Sequence, residues 1–248
     1  MLRLFSCLKT KEEYMELTPR LAAVAALVPA CHCMADIGTD HAYVPMDLVR
    51  KHRVEHAVAS DIHKGPLDIA RRHIGENRLS RWIETRLGGG LETLQPGECE
   101  GVVIAGMGGL MICDILANSP ETAGALSWAV LQPMNHSADL RIWLAEHGWK
   151  ITQEKLARED WHIYDILYVE HGDMLVPSPL DAELGVTPMR REDSLFPELV
   201  KKLIKQRNAV LQGIPEDTEN IHHKEKREKA ATELKILEDI ICRLKPEK

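Results

Sequence analysis

At 248 residues the chain has room for one α/β domain of ordinary size and an appendage. Hydrophobic residues make up 44% but aromatics only 4%, so the core must rest on Ala, Val, Ile and Leu, which suits buried parallel strands. A net charge of −7 argues against indiscriminate binding of polyanions.

Membrane and secretory classes are disfavoured as well. The opening MLRLFSCLKTKEEY meets charges before any useful apolar stretch, and the longest apolar run, 21–30, falls far short of the ~20 residues a spanning helix needs. Cys7, Cys31, Cys33, Cys99, Cys113 and Cys242 are scattered and form no Cys-x-x-Cys pair. Neither a disulfide framework nor a zinc site is expected, and a soluble cytoplasmic protein is. Cys31, His32 and Cys33 alternate on what reads as a strand, so they face opposite sides and no metal site is expected there.

Residues 17–29 predict a short helix, with Thr18 as N-cap, Pro19 in the first position and Pro29 closing it. HCMADIG follows as a first strand, then a helix from about His41 to His52. HAVASDI is a second strand with the helix PLDIARRHIGENRL behind it. WIETRLGG and GVVIAGMGG read as the third and fourth strands, and GLMICDILANS as the next helix. WAVLQP is a fifth strand, followed by the helix SADLRIWLAEHG. Such alternation implies βαβ units and a parallel sheet. WKITQEKLARED and WHIYDILYVEHG then stand back to back, which predicts an antiparallel hairpin closing the sheet. Residues 173–194 read as an irregular linker. Two helices end the chain, the second with Leu234, Leu237, Ile241 and Leu244 in a narrow coiled-coil stripe.

Four loops carry the chemistry. After the first strand comes Asp36-Ile37-Gly38-Thr39-Asp40, with Asp40 and Ala42 where a dinucleotide fingerprint would have further glycines. A carboxylate at that strand end is ill suited to a pyrophosphate and well suited to a cationic ligand. Asp61 ends the second strand, 25 residues past Asp36, where an acid can accept hydrogen bonds from ribose hydroxyls. Gly88, Gly89 and Gly90 follow the third strand, and Gly106, Met107, Gly108 and Gly109 follow the fourth. Both turns are small enough for close approach of a flat ring.

ADIGTDHAYVP, SDIHKGPL, RLGGGLETL, VIAGMGG, LQP and LRIWL occur in that order between about Leu17 and Gly172. In these segments the chain resembles the bacterial tRNA (adenine-N1) methyltransferases that modify adenine 22. The resemblance implies a Rossmann-like class I methyltransferase sheet, mostly parallel with an antiparallel hairpin at its end, and a C-terminal α-helical hairpin. It implies an S-adenosylmethionine site at Asp36, Gly38, Asp40, His41, Asp61, Gly88 and the loop of Gly106, Met107 and Gly108, with Gly89 in the turn facing the adenine ring. Asp40 is the candidate to stabilise charge appearing on the base, with His41 and Tyr43 to orient or stack; His41 reads equally well as a helix cap. Relatives commonly carry Gly-Asp-Gly where this chain has Gly88-Gly89-Gly90. They carry Gln-Pro-Asn where it has Gln132-Pro133-Met134, with Asn135 one place later.

The expected organisation is a methyltransferase domain over 1–172, a linker over 173–195 and a helical domain over 196–248. From Phe196 onward, 12 Lys and Arg stand against 10 Asp and Glu, compared with 19 against 28 before it. Lys201, Lys202, Lys205, Arg207, Lys224, Lys226, Arg227 and Lys229 are therefore the expected tRNA docking surface. The alternative for these helices is shielding the core or joining copies in a homo-oligomer. Three other functions remain in play: methylation of another substrate, RNA binding without catalysis, and nicotinamide redox chemistry, the last disfavoured by Asp40 and Ala42.

Overall fold

The computed structural model describes residues 16–244. Cys7 and the outer ends of the first and last expected domains lie outside the described residues. In chain order the elements are α1 (Pro19–Leu27), β1 (Cys31–Ile37), α2 (Tyr43–Arg50), β2 (Val54–Asp61), α3 (Lys64–Glu76), β3 (Ile83–Leu87), β4 (Gly101–Met107), α4 (Gly109–Ala117), α5 (Pro120–Ala125) and β5 (Trp128–Pro133). They continue with α6 (Ser137–Glu146), β6 (Trp149–Glu159), β7 (His162–His171), α7 (Pro179–Leu184), α8 (Pro188–Glu192), α9 (Phe196–Gly213) and α10 (Ile221–Arg243).

The seven strands form one sheet in the order β3-β2-β1-β4-β5-β7-β6. The first five are parallel, and β7 pairs antiparallel with both β5 and β6. Successive residues of the central strands face opposite sides. Met34 and Val103 pack under α1 and α2, whereas Ala35, Ile37, Val102 and Ile104 pack toward α4 and α6. Both faces are covered, which explains the continuous apolar runs in these strands. Strand order reverses between β1 and β4, so their carboxyl ends flank the crevice where ligands of open α/β sheets bind.

Helix α1 begins as its sequence dictates, with Thr18 Oγ1 accepting from Leu21 N–H. Helix α2 starts two residues later than expected. Ala42 takes a left-handed φ of 58°, which leaves His41 on the turn before the helix.

The expected irregular linker is instead ordered by α7 and α8. Two short helices carry too little periodicity to be read from sequence, and distant charges hold them. Arg190 and Arg141, both wholly buried, pair with Asp165; Arg141 Nε also reaches Glu154 Oε1 at 2.8 Å. Glu154 Oε2 accepts from the N–H groups of Val186 and Thr187, each at 2.7 Å.

Helices α9 and α10 run antiparallel, with Arg207 of α9 on Glu233 of α10 and Arg227 of α10 capping the carbonyls of Leu211 and Ile214. Leu237 is wholly buried against α9 and the edge strand β6, with Ile241 and Leu244 beside it; Leu234 lies outside that cluster. The expected basic surface is correspondingly smaller. Arg207 is spent on Glu183 and Glu233, and Arg227 also pairs with Glu216. Scattered in sequence, Cys33 and Cys99 meet in space with their sulfurs 2.9 Å apart as free thiols. Among the described residues no helix is long and apolar enough to cross a membrane, and no cluster of three or more His, Cys, Asp or Glu is placed to hold a metal ion.

Candidate functional site

At the reversal point the chain leaves β1 through Gly38, whose φ is +77°. That conformation favours glycine, and a Cβ there would also press on the tip of Met107, 2.2 Å from its Cε. The N–H groups of Gly38 and Thr39 both donate to Ser60 O at 2.8 Å, which ties the turn to the end of β2. Thr39 Oγ1 donates to Asp36 Oδ2 at 2.6 Å. Burial pushes the Asp36 carboxyl up to about 6; the nearby Asp61 charge adds to this, and the Thr39 hydrogen bond opposes it.

A cavity of about 410 Å³ opens beside this turn. It gathers Asp36, Gly38, Asp40, His41, Tyr43 and Gly106 from the expected set. His41 stacks on Tyr43 at 5.0 Å and on His73 at 5.5 Å between ring centroids, and its Nε2 lies 3.1 Å from Asp40 Oδ2. The Asp40 side chain is 68% exposed, so its charge acts through water, unlike that of Asp36.

Asp61, Gly88 and Gly89 stand one and two strands away and do not line this cavity. Gly88 N–H donates to Asp61 O at 3.0 Å, and Asp61 Oδ1 accepts from His63 N–H at 2.7 Å. Gly89 N–H donates to Glu92 Oε1 at 2.7 Å, so a carboxylate does stand at this turn, three residues past the position where relatives carry Asp. The tip of Met107 covers Gly38, and Gly108 lies against Asn135. Gly109 could not be replaced without collision, since its Cβ would meet His136 O at 2.4 Å.

One wall residue, Arg20, escaped the sequence reading, and behind it stands Gln132. Arg20, from the first turn of α1, donates to Gln132 Oε1 at 2.6 Å and to Glu159 Oε2 at 2.7 Å. Gln132 is fully buried at the end of β5, and its Oε1 also accepts from Gly106 N–H at 3.1 Å. The only sequence signal for Gln132 was the LQP segment; Arg20 had none.

Residues 17–167 match the methyltransferase-domain family. The chain is 30% identical to a tRNA (adenine(22)-N(1))-methyltransferase of Bacillus subtilis strain 168 over 92% of its own length and 98% of the relative's. The chain belongs to this tRNA (adenine(22)-N(1))-methyltransferase family.

Solved structures agree with that membership across the whole fold. M. capricolum TrmK, solved in complex with S-adenosyl-homocysteine, superposes with a TM-score of 0.76 at 29% identity, covering 91% of this chain and 99% of that one. A Streptococcus pneumoniae protein solved in complex with S-adenosyl-L-methionine gives a TM-score of 0.78 at 29% identity, covering 91% of this chain and 100% of that one. As a tRNA (adenine(22)-N(1))-methyltransferase family member, the chain keeps the helical C-terminal part within the matched length.

Proposed function

We infer that this protein transfers the methyl group of S-adenosylmethionine to N1 of adenine 22 in tRNA. The observation that carries the reading is the buried Asp36 above the Gly38 cradle at the switch point, in a chain of this family. A carboxylate buried without a cationic partner suits a donor that carries a sulfonium and an ammonium group. Gly38 turns the chain sharply at the end of β1 beside Asp36, and Asp61 at the end of β2 suits the donor's ribose hydroxyls.

S-adenosylmethionine supplies an electrophilic methyl on a cationic sulfur. Adenine N1 is neutral with a free lone pair, so no base is needed to activate it, and the protein's task is alignment. Arg20 and Gln132 hold the β4 and β5 ends together, which fixes the cavity wall. Tyr43 and His41 present stacked rings at the cavity for a flat base. Asp40, at the cavity mouth, is the carboxylate that would stabilise the positive charge appearing on the methylated base.

For tRNA docking we propose the exposed lysines Lys201, Lys202, Lys205, Lys224 and Lys226, with residues 196–248 acting as a unit distinct from 1–172. A tRNA substrate fits a cytoplasmic protein.

The test is methyl transfer to an unmodified tRNA transcript followed by mapping of the modified nucleotide. A single 1-methyladenosine at position 22 is expected; no transfer, or transfer elsewhere, overturns the reading. Asp40→Asn is expected to lower kcat about fivefold while moving donor affinity little, because an exposed charge is worth about 1 kcal/mol. Unchanged kcat would remove Asp40 from the mechanism.

A further inference from the structure

Strand β7 lies antiparallel to β5 with Leu167 opposite Leu131, so the end of β5 at Pro133 is level with residue 165. The β6–β7 hairpin runs on to its turn at Asp160 and Trp161. At 3.4 Å per residue the tip stands about 10 Å beyond the end of β5. It therefore overhangs the sheet edge on which the cavity opens.

The overhang is lined with rings. Trp161 is 84% exposed, its ring centroid lies 5.5 Å from that of His162, and His162 lies 5.7 Å from Tyr164. Arg20, in the cavity wall, holds its guanidinium 5.6 Å from the Tyr164 centroid. A row of flat groups thus leads from the cavity outward through Arg20, Tyr164, His162 and Trp161.

We propose that this row is a stacking platform for the unpaired nucleotide next to the adenine that enters the cavity. The inference rests on the RNA-substrate reading above. Adenine N1 lies on the Watson–Crick edge, so the base must leave its stack to be methylated, and its neighbour loses a stacking partner. An aromatic ring restores that partner, and it does so for any base. The tip offers rings in place of cations: Asp160 precedes Trp161, and an acid there repels the phosphate backbone.

The experiment compares wild type with Trp161→Ala and Trp161→Phe. KM for unmodified tRNA should rise about tenfold in Trp161→Ala, and Trp161→Phe should restore most of it. The calorimetric Kd for S-adenosylmethionine should stay unchanged, as should the slope of log KM against log salt, because no cation is removed. Adding tRNA should quench a component of tryptophan emission that Trp161→Phe lacks. An unchanged KM in Trp161→Ala overturns the platform, as does a change in light-scattering mass in place of a change in KM, which would make the row a contact between copies. Failure of the wild-type protein to methylate tRNA marks the separate failure of the functional reading.

Discussion

Replacing Asp36 by Asn is expected to stabilise the ligand-free protein while weakening its binding of S-adenosylmethionine by at least about 100-fold. Both effects have one cause. Asp36 is buried, and burial lifts its carboxyl from 3.8 to about 6. At neutral pH it is ionised in a place that disfavours the charge, and the displacement corresponds to about 3 kcal/mol against the fold. Asn removes the charge and keeps an acceptor for Thr39, so a gain of about 2 kcal/mol is expected, or roughly 5 °C in Tm.

The pH dependence has a definite sign. A raised carboxyl is protonated in the folded state when the unfolded chain already ionises. Wild type and Asp36→Asn should therefore be equally affected by pH below about 3.8, then diverge, with the variant's advantage complete above about 6. Affinity for the cationic donor should follow the ionised form, so wild-type binding weakens as pH falls through about 6, and the variant lacks that step. Calorimetric titration across this range, with thermal unfolding of the free protein, checks both halves. Near wild-type affinity in Asp36→Asn would remove Asp36 from the donor site.

The second large effect is structural. Arg141→Met leaves Glu154 and Asp165 buried with Arg190 as their remaining cation. Removing one partner from a buried charge network costs about 3–5 kcal/mol, which lowers Tm by roughly 10–15 °C in a domain of this size. Burial would raise both carboxyls, but the Arg141 and Arg190 charges outweigh it and hold Asp165 and Glu154 below their ordinary values. Their stabilisation is present above the unfolded carboxylate range and is lost as pH falls through the depressed folded values. In Arg141→Met the unpaired carboxylates protonate more readily, so the deficit should be greatest at neutral pH and shrink toward pH 4. Unfolding in urea at pH 7 and pH 4 tests this. A loss under about 1 kcal/mol at pH 7 would mean that the network relaxes around the gap.

Arg141 also explains why residues 173–195 are ordered. Its guanidinium joins α6 to β6 and β7 and donates to Ala182 O at 2.9 Å, so α7 is fixed by a residue 41 positions earlier. No local pattern in the Pro-containing segment carries that information.

The sequence by itself determined the strand and helix succession through β7, apart from the short α5 that it did not show, and the loops that bear the chemistry. Apolar runs, Gly and Pro punctuation and the Thr18-Pro19 cap are local signals, and the backbone obeys them locally. The paired acids at Asp36 and Asp61 were legible for the same reason, since strand ends can be counted. The tertiary structure alone decided which of these residues share a cavity, how deeply Asp36 is buried, and that Met107 closes over Gly38. It also put Arg20 in the wall beside Gln132 and Glu159, across sequence separations of 112 and 139 residues. It turned Arg207 and Arg227 inward, away from the expected basic face. The physical reason is common to all of these. Desolvation and charge pairing depend on which groups meet through space, and composition or spacing along the chain does not encode the meeting.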